Sequence, residues 1–272
     1  MNEPTTAQDR PAPTERPLAL VTGASSGIGL ELARQFAEHG FDLVVNAEDP
    51  AIEGAAEELR AHGGEVRAVQ VDLRRSDGVS ELMAAVREAG RPLAAVALNA
   101  GVGHGGRFVD TDLAHDLGII QLNVVSTVQL AKLVLVDMVR AGEGRVLVTS
   151  SIASEMPGAF QSTYNASKSF LQSLTQGLQE ELRDTGVSLT LLMPGPTDTE
   201  FFARADMEKT KVGQGAKDDP AKVARQGFEA LMSGESRVVG GGWRTRVQEA
   251  ASKVLPDRAK AALHRRMAEP DA

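Results

Sequence analysis

A tyrosine followed four residues later by a lysine, Tyr164 and Lys168 in the run STYNASKSF, is the pair in this chain best suited to moving a proton. Positions i and i+4 share one face of a helix, so the ammonium would lie beside the phenol. A neighbouring cation stabilises a phenolate and lowers the phenol pKa from its ordinary value of about 10. A phenol tuned in that way can exchange a proton with an alcohol or a carbonyl near neutral pH. Tyr164 is also the only tyrosine in the chain. By itself the pair equally describes a half-buried tyrosine beside a solvated lysine. Ser150 and Ser151 change that balance, because they end the apolar run RVLVTSS. Ligands of open α/β sheets bind at the carboxyl ends of the strands. A serine there can meet the tyrosine over one substrate oxygen.

A second cluster could bind an anion. In LALVTGASSGIGLELARQF, glycines at 23, 27 and 29 follow a strand-like run and open a helical one. Glycines let the backbone turn tightly against a pyrophosphate, and a helix N-terminus supplies unpaired N–H groups and a positive dipole end. Gly29 would also let the helix pack closely on the sheet. The plainer alternative is an ordinary flexible turn; position in the first strand-helix unit favours a dinucleotide. Asp72, in VQVDLRR, is placed to accept from an adenine amine, or else to cap a turn. Asn99-Ala100-Gly101 offers small residues where a ribose or pyrophosphate would pass.

Those residues need a scaffold, and the hydrophobic pattern supplies one. Strand-like runs at Leu18–Thr22, Phe41–Asn46, Val66–Val71, Ala94–Leu98, Arg145–Thr149 and Ser188–Leu192 alternate with helical spacing near 27–39, 50–62, 77–89, 112–140 and 165–185. Near-continuous apolar strands between helices predict an α/β fold, a doubly wound parallel sheet with helices on both faces. After Pro194 the pattern predicts a flap at 200–218, a helix near 220–233, a strand at Arg237–Val239, a glycine break at 240–242 and a basic helical tail. The expected organisation is a leader at 1–16, one domain over 17–242 and an extension over 243–272. Val247, Ala250, Ala251, Val254 and Leu255 give that extension an apolar stripe, expected to pack near the interface of a homo-oligomer, with a dimer favoured.

Composition removes several functions. The 272 residues are 42% hydrophobic and 24% charged, as in an ordinary globular protein. With 37 acidic and 29 basic residues the formal charge is −8, a poor match for nucleic acid or an anionic membrane surface. There is no cysteine, which removes disulfides and thiolate chemistry. The five histidines, His39, His62, His104, His115 and His264, show no metal-binding spacing, so no metal is expected. The proline- and threonine-rich leader lacks the apolar core of a secretory signal, and no apolar run approaches a bilayer span. A cytoplasmic protein is expected.

Taken together, these motifs resemble the short-chain dehydrogenase/reductase family in its compact single-domain branch. The resemblance is carried by Thr22-Gly23-Ala24-Ser25-Ser26-Gly27-Ile28-Gly29, Asp72, Asn99-Ala100-Gly101, Asn123, Ser151, Tyr164-Asn165-Ala166-Ser167-Lys168, and Pro194-Gly195 followed by Thr199. The motifs keep the family's order and similar spacing, including 13 residues from Ser151 to Tyr164, over about 17–195. It implies a catalytic tetrad of Asn123, Ser151, Tyr164 and Lys168. Tyr164 would be the proton donor and acceptor, Ser151 would hydrogen-bond the reacting oxygen, and Lys168 would hold the nicotinamide ribose and depress the tyrosine pKa. Asn123 would bind a relay water; without the resemblance, its apolar surroundings suggest a core asparagine bonded to backbone. The cofactor set it implies is Gly23, Ser25, Ser26, Gly27, Ile28, Gly29, Glu48, Asp72, Leu73, Asn99, Ala100, Gly101, Tyr164, Lys168, Pro194, Gly195, Thr197 and Thr199.

The expected activity is interconversion of an alcohol and a carbonyl with NAD, the alternative cofactor being NADP. Glu48, 19 residues past Gly29, would accept from the adenosine ribose and repel a 2′-phosphate. Arg74 and Arg75 stand close enough in sequence to answer such a phosphate. Asp49 would cap a helix with Pro50 at its first position. The expected substrate pocket is mostly apolar: His104, Ser151, Met156, Phe160, Tyr164, Phe201, Phe202 and Met207. Two other functions fit parts of the pattern. A dinucleotide-binding redox sensor would not need the proton relay, and a sugar-nucleotide epimerase or dehydratase usually carries a larger C-terminal region.

Overall fold

The computed structural model describes residues 16–252 and 255–269. Its centre is one seven-stranded sheet in which every neighbouring pair runs parallel, in the order β3-β2-β1-β4-β5-β6-β7. In chain order the elements are β1 (Leu18–Thr22), α1 (Gly27–Glu38), β2 (Asp42–Ala47), α2 (Ile52–Arg60), β3 (Val66–Gln70), α3 (Gly78–Glu88) and β4 (Leu93–Leu98). Then come α4 (Leu113–Ile119), a π-helical stretch (Ile120–Ser126), α5 (Thr127–Ala141), β5 (Gly144–Thr149), a 3₁₀ turn (Ile152–Glu155), α6 (Ser162–Glu181) and β6 (Val187–Pro194). Last are α7 (Phe201–Arg204), α8 (Lys211–Gln214), α9 (Pro220–Ser233), β7 (Arg237–Gly240), α10 (Trp243–Ser252) and α11 (Asp257–Ala268). This is the doubly wound arrangement the apolar pattern predicts.

The strands read as unbroken apolar runs because both faces are covered. Every residue of β1 and β2 is buried. On one face α1, α2 and α9 contribute Leu32, Phe36, Ile52, Leu59, Phe228 and Leu231. Phe36 meets Phe41 and Phe228 edge-on, at 5.1 Å between ring centroids in each case. On the other face α3, α5 and α6 contribute Leu82, Val86, Leu130, Val134 and Leu171. The chain leaves β1 in one direction for β2 and β3, and in the other from β4 onward. That reversal opens a crevice above the carboxyl ends of β1 and β4.

Several expected boundaries move, each for a local reason. The helix expected near 112–140 spans Leu113–Ala141, with seven π-helical residues inside it. This segment is long and apolar enough to cross a bilayer, but half of its most apolar window is buried in the fold. The helix expected from 165 begins at Ser162, placing Tyr164 in its first turn. Helix α2 begins at Ile52, while Asp49 Oδ1 accepts from Ala51 N at 2.9 Å, so the aspartate caps a turn ahead of the helix. The basic tail is two helices rather than one, with Pro256 immediately before α11.

Among the described residues, α10 is tied down by polar contacts. Val247 is 58% exposed and Ala250 is exposed, whereas Thr245 and Glu249 face inward. Arg237 bonds Glu155 Oε1 at 2.9 Å and also reaches Glu249. Thr245 donates to Asp218, which also accepts from Gly242 N at 2.7 Å. Residues 1–15 of the expected leader, together with the Ala251 side chain and Val254 of the stripe, lie outside the description.

Candidate active site

The glycine turn links β1 to α1, and two of its glycines are required by contact. At Gly29 a Cβ would stand 1.9 Å from Gly23 O, and at Gly23, where φ is +68°, it would stand 2.9 Å from Ala100 Cα. Ser26, the N-cap of α1, makes no side-chain cap bond, so the first-turn N–H groups are left for an anion. Beside this turn the strand ends are stitched together. Thr22 Oγ1 accepts from Asn99 N at 3.0 Å and Ala100 N at 3.1 Å, and Asn99 Nδ2 donates to Thr22 O at 3.2 Å. Thr149 Oγ1 donates to Asn99 Oδ1 at 3.0 Å, which brings the end of β5 into the same network.

Thr149 also positions the cation. Lys168 is 4% exposed, and its Nζ donates to Thr149 O at 3.0 Å. Ser150 Oγ donates to Lys168 O at 2.8 Å, fixing α6 to the end of β5. Nζ lies 5.8 Å from the centre of the Tyr164 ring, on the helix face expected from the spacing. The other side of that ring meets Phe201 at 5.2 Å between centroids. Ser151 lies near enough to the Tyr164 phenol to lower its pKa. Ser151 Oγ in turn donates to Pro194 O at 3.4 Å and accepts from Ala153 N at 3.1 Å. Serine, tyrosine and lysine thus converge where the sheet opens.

Burial governs both ionisations here. It pushes the Tyr164 phenol up to about 12, against a smaller lowering by Ser151. It pushes Lys168 down to about 8. The depression of the phenol expected from the lysine is not what prevails here: desolvation does, and Tyr164 stays protonated at neutral pH.

Asn123 is fully buried, inside the π-helical stretch. Its Nδ2 donates to Val102 O at 2.9 Å and Ser167 Oγ at 3.0 Å, and its Oδ1 accepts from Val102 N at 2.9 Å. The amide therefore braces the loop after β4 against α6, as in the core-asparagine reading. A Cβ at Gly101 would lie 3.2 Å from both Asn123 Oδ1 and Lys168 Nζ, a tight approach that would press on both side chains.

Every expected cofactor residue lines one continuous cleft: Gly23, Ser25 to Gly29, Glu48, Asp72, Leu73, Asn99 to Gly101, Tyr164, Lys168, Pro194, Gly195, Thr197 and Thr199. A dinucleotide fits this donor set. The glycine turn would take its pyrophosphate, Asp72 and Leu73 its adenine, and Tyr164 and Lys168 its second ribose. Arg74 bridges two carboxylates at the adenosine end, Asp72 at 3.0 Å and Glu48. Burial raises the Asp72 pKa, but the hydrogen bonds and charge of Arg74 prevail and hold it below its ordinary value. Arg75 turns away to Asp77 at 2.9 Å. Arg204, from the flap, reaches Asp49 at 3.3 Å.

The substrate end differs from expectation in three residues. Ser151, Met156, Tyr164, Phe201 and Phe202 line the cleft. Met207 is fully buried under the flap with Ala205. Phe160, at φ +65°, packs into that same small core. His104 stacks on His115 at 4.2 Å and faces Asp206 at 3.7 Å. In their places stand Gln161, Val212, Gln248, His264, Met267 and Ala268. The last three belong to α11, and no local motif marks them; only the folding of the tail back over the flap does.

A family model described as short chain dehydrogenase matches residues 17–210. The chain belongs to the short-chain dehydrogenase family. It is 31% identical over 216 residues to oxidoreductase UcpA of Salmonella typhimurium, covering 78% of this chain and 79% of that one. A short-chain dehydrogenase of Sphingobium yanoikuyae solved with NADPH aligns at a TM-score of 0.77 and 29% identity, over 94% of this chain and 98% of that one. A relative from Burkholderia phymatum solved with NAD aligns at 0.80 and 23% identity, over 94% and 98%. The second likeness shows the fold alone. Membership makes this an oxidoreductase scaffold for NAD or NADP.

Any turnover that needs the protons of both Lys168 and Tyr164 should slow as pH rises through about 8, where Lys168 gives up its proton while Tyr164 keeps its own. A profile of kcat/KM against pH checks this. A flat profile to about pH 10, the ordinary phenol value, would remove Lys168 from the rate.

Proposed function

We propose that this protein is an oxidoreductase interconverting a secondary alcohol and a ketone, or an aldehyde and its alcohol, by hydride transfer with a nicotinamide cofactor. The observation that carries the reading is the convergence of Ser151, Tyr164 and buried Lys168 on one cleft that also contains the glycine turn. The cofactor, when bound, supplies or accepts the hydride. Tyr164 gives its proton to the carbonyl oxygen in reduction and removes it from the alcohol in oxidation. Ser151 hydrogen-bonds that oxygen and stabilises the charge developing on it. Lys168 faces the phenol and the ribose, its position set by Thr149 O. Asn123 acts one step back, holding the loop that carries Gly101; the water-binding part of its role rests on the family resemblance. Thr199, beside the backbone after Pro194, would hold the carboxamide of a bound nicotinamide. A sensor would have no use for this proton donor, so the catalytic reading is preferred to it. The sugar-nucleotide epimerase or dehydratase lacks support, since the extension is taken up in closing the cleft.

NAD(H) is the proposed cofactor. Glu48 lines the adenosine end of the cleft, and Arg74 is already engaged by Glu48 and Asp72. A 2′-phosphate would have to displace one carboxylate from the guanidinium and face the other. A homodimer is also proposed, on the exposed Trp243 and Val247 of α10; the mass in solution tests it.

Two variants test these readings. Tyr164→Phe should bind dinucleotide normally and lose turnover by about 10²–10⁴-fold or more, as for loss of a positioned acid. Near-normal turnover in that variant would end the mechanism. For the cofactor, wild-type kcat/KM should favour NADH over NADPH. Glu48→Ala, which leaves Arg74 only one carboxylate, should shift the ratio towards NADPH by roughly tenfold or more. A wild type that prefers NADPH would contradict the assignment.

A further inference from the structure

Helix α11 reaches the substrate end of the cleft with one polar side chain. His264 is 5% exposed, and its Nδ1 lies 2.9 Å from the carbonyl oxygen of Ala159. A carbonyl only accepts, so Nδ1 carries the ring proton. Burial holds the imidazole below its ordinary pKa, outweighing the Ala159 bond, so the ring is neutral. Nε2 is then a bare acceptor. Among the described residues it has no hydrogen-bond partner, and it is not among the sealed, unpartnered polar atoms, which are Arg16 Nη1 and Asn165 Oδ1. Nε2 is therefore reachable from outside, and His264 is among the residues that line the cleft.

The ring is held from both sides. Ala159 belongs to the loop between the 3₁₀ turn and α6, whose next residue, Phe160, takes φ +65° and accepts from Gly106 N at 2.9 Å. On the α11 side, Ala268 is buried with Phe202, Ala205 and Met207 of the flap. Its surroundings in the cleft are apolar: Met156, Phe201, Phe202, Val212 and Met267. Gln161 and Gln248 also face this end, but a free amide can turn to donate or accept. His264 is the group locked as an acceptor.

We infer that His264 is a recognition residue, selecting apolar carbonyl compounds that carry a second group able to donate a hydrogen bond, such as a hydroxyl remote from the reacting carbon. This deepens the proposed alcohol–ketone reading and rests on it for turnover. A site that fixes an acceptor discriminates against the analogue lacking the donor, because the buried acceptor is then left unpaired.

The test uses matched carbonyl pairs, aryl methyl ketones with and without a ring hydroxyl and 2-alkanones with and without a terminal hydroxyl. Affinity is measured by calorimetry on the full chain with oxidised dinucleotide, which cannot reduce the carbonyl, and turnover separately with the reduced form. In wild type the hydroxylated member of at least one pair should be favoured by roughly tenfold or more. His264→Phe, which keeps a ring but removes the acceptor, should erase that ratio by weakening the hydroxylated member far more than the deoxy one. His264→Gln, which restores an acceptor, should recover part of it. A folding defect in His264→Phe would weaken both members alike, and the Gln variant then decides. No preference in wild type, or one that survives both substitutions, overturns the inference while turnover keeps the redox reading. A His264-dependent preference in affinity without turnover of any pair keeps the inference and overturns the redox reading. Neither binding nor turnover overturns both.

Discussion

An ammonium group enclosed by protein and resting on one backbone carbonyl constrains everything around it. Lys168 Nζ donates to Thr149 O, and burial lowers its pKa to about 8. Enclosing an ion costs several kcal/mol unless hydrogen bonds compensate, so the carbonyl has to be held still. Thr149 is the last residue of β5, paired to Leu192 of β6, and its hydroxyl is bonded to Asn99 at the end of β4. Asn99 is bonded in turn to Thr22 at the end of β1. The sheet fixes this edge, and the edge fixes the cation. The neighbouring phenol is hard to ionise for the same reason, burial, and so keeps its proton at neutral pH.

The extension contributes to function by closing the other end. Arg237, Glu155 and Glu249 tie α10 to the turn that follows Ser151. Asp218 ties its first turn to the chain after the flap. Beyond Pro256, α11 lays His264, Met267 and Ala268 against Phe202 and the loop at Ala159. The lining of that end of the cleft thus comes from the most distant part of the sequence, while Ser151, Tyr164 and Lys168 follow the ends of the central strands. One part can vary without disturbing the other.

The sequence made the strand ends readable because their chemistry is local. Three glycines, a serine after an apolar run and a tyrosine with a lysine one helical turn on keep fixed spacings whatever surrounds them. Even so, the spacing misjudged the phenol. It placed the cation correctly but carried no measure of burial, which raises the Tyr164 pKa instead of lowering it. The π-helical turn at Asn123 was not legible either, since an apolar run has the same composition in either helix. The substrate end was least legible. Met207 and Phe160 have the composition of a pocket lining, yet they fill the flap's own core, and His264 lay in what read as a basic tail. Such residues are placed by where a distant helix docks. The same limit applied to α10, where Val247 and Ala250 are exposed while Thr245 and Glu249 anchor the helix through charge and hydrogen bonds.

Tyr164 is the only tyrosine in the chain, so the phenolate absorbance of the whole protein reports this one group. Titrating that band in the free, folded protein tests the central claim that burial keeps the phenol a proton donor. The account predicts no phenolate through pH 10, ionisation only near 12, and a clear lowering of that midpoint when oxidised dinucleotide is bound. A midpoint at or below about 10 in the free protein would contradict it, because the phenol would then be no harder to ionise than one in water.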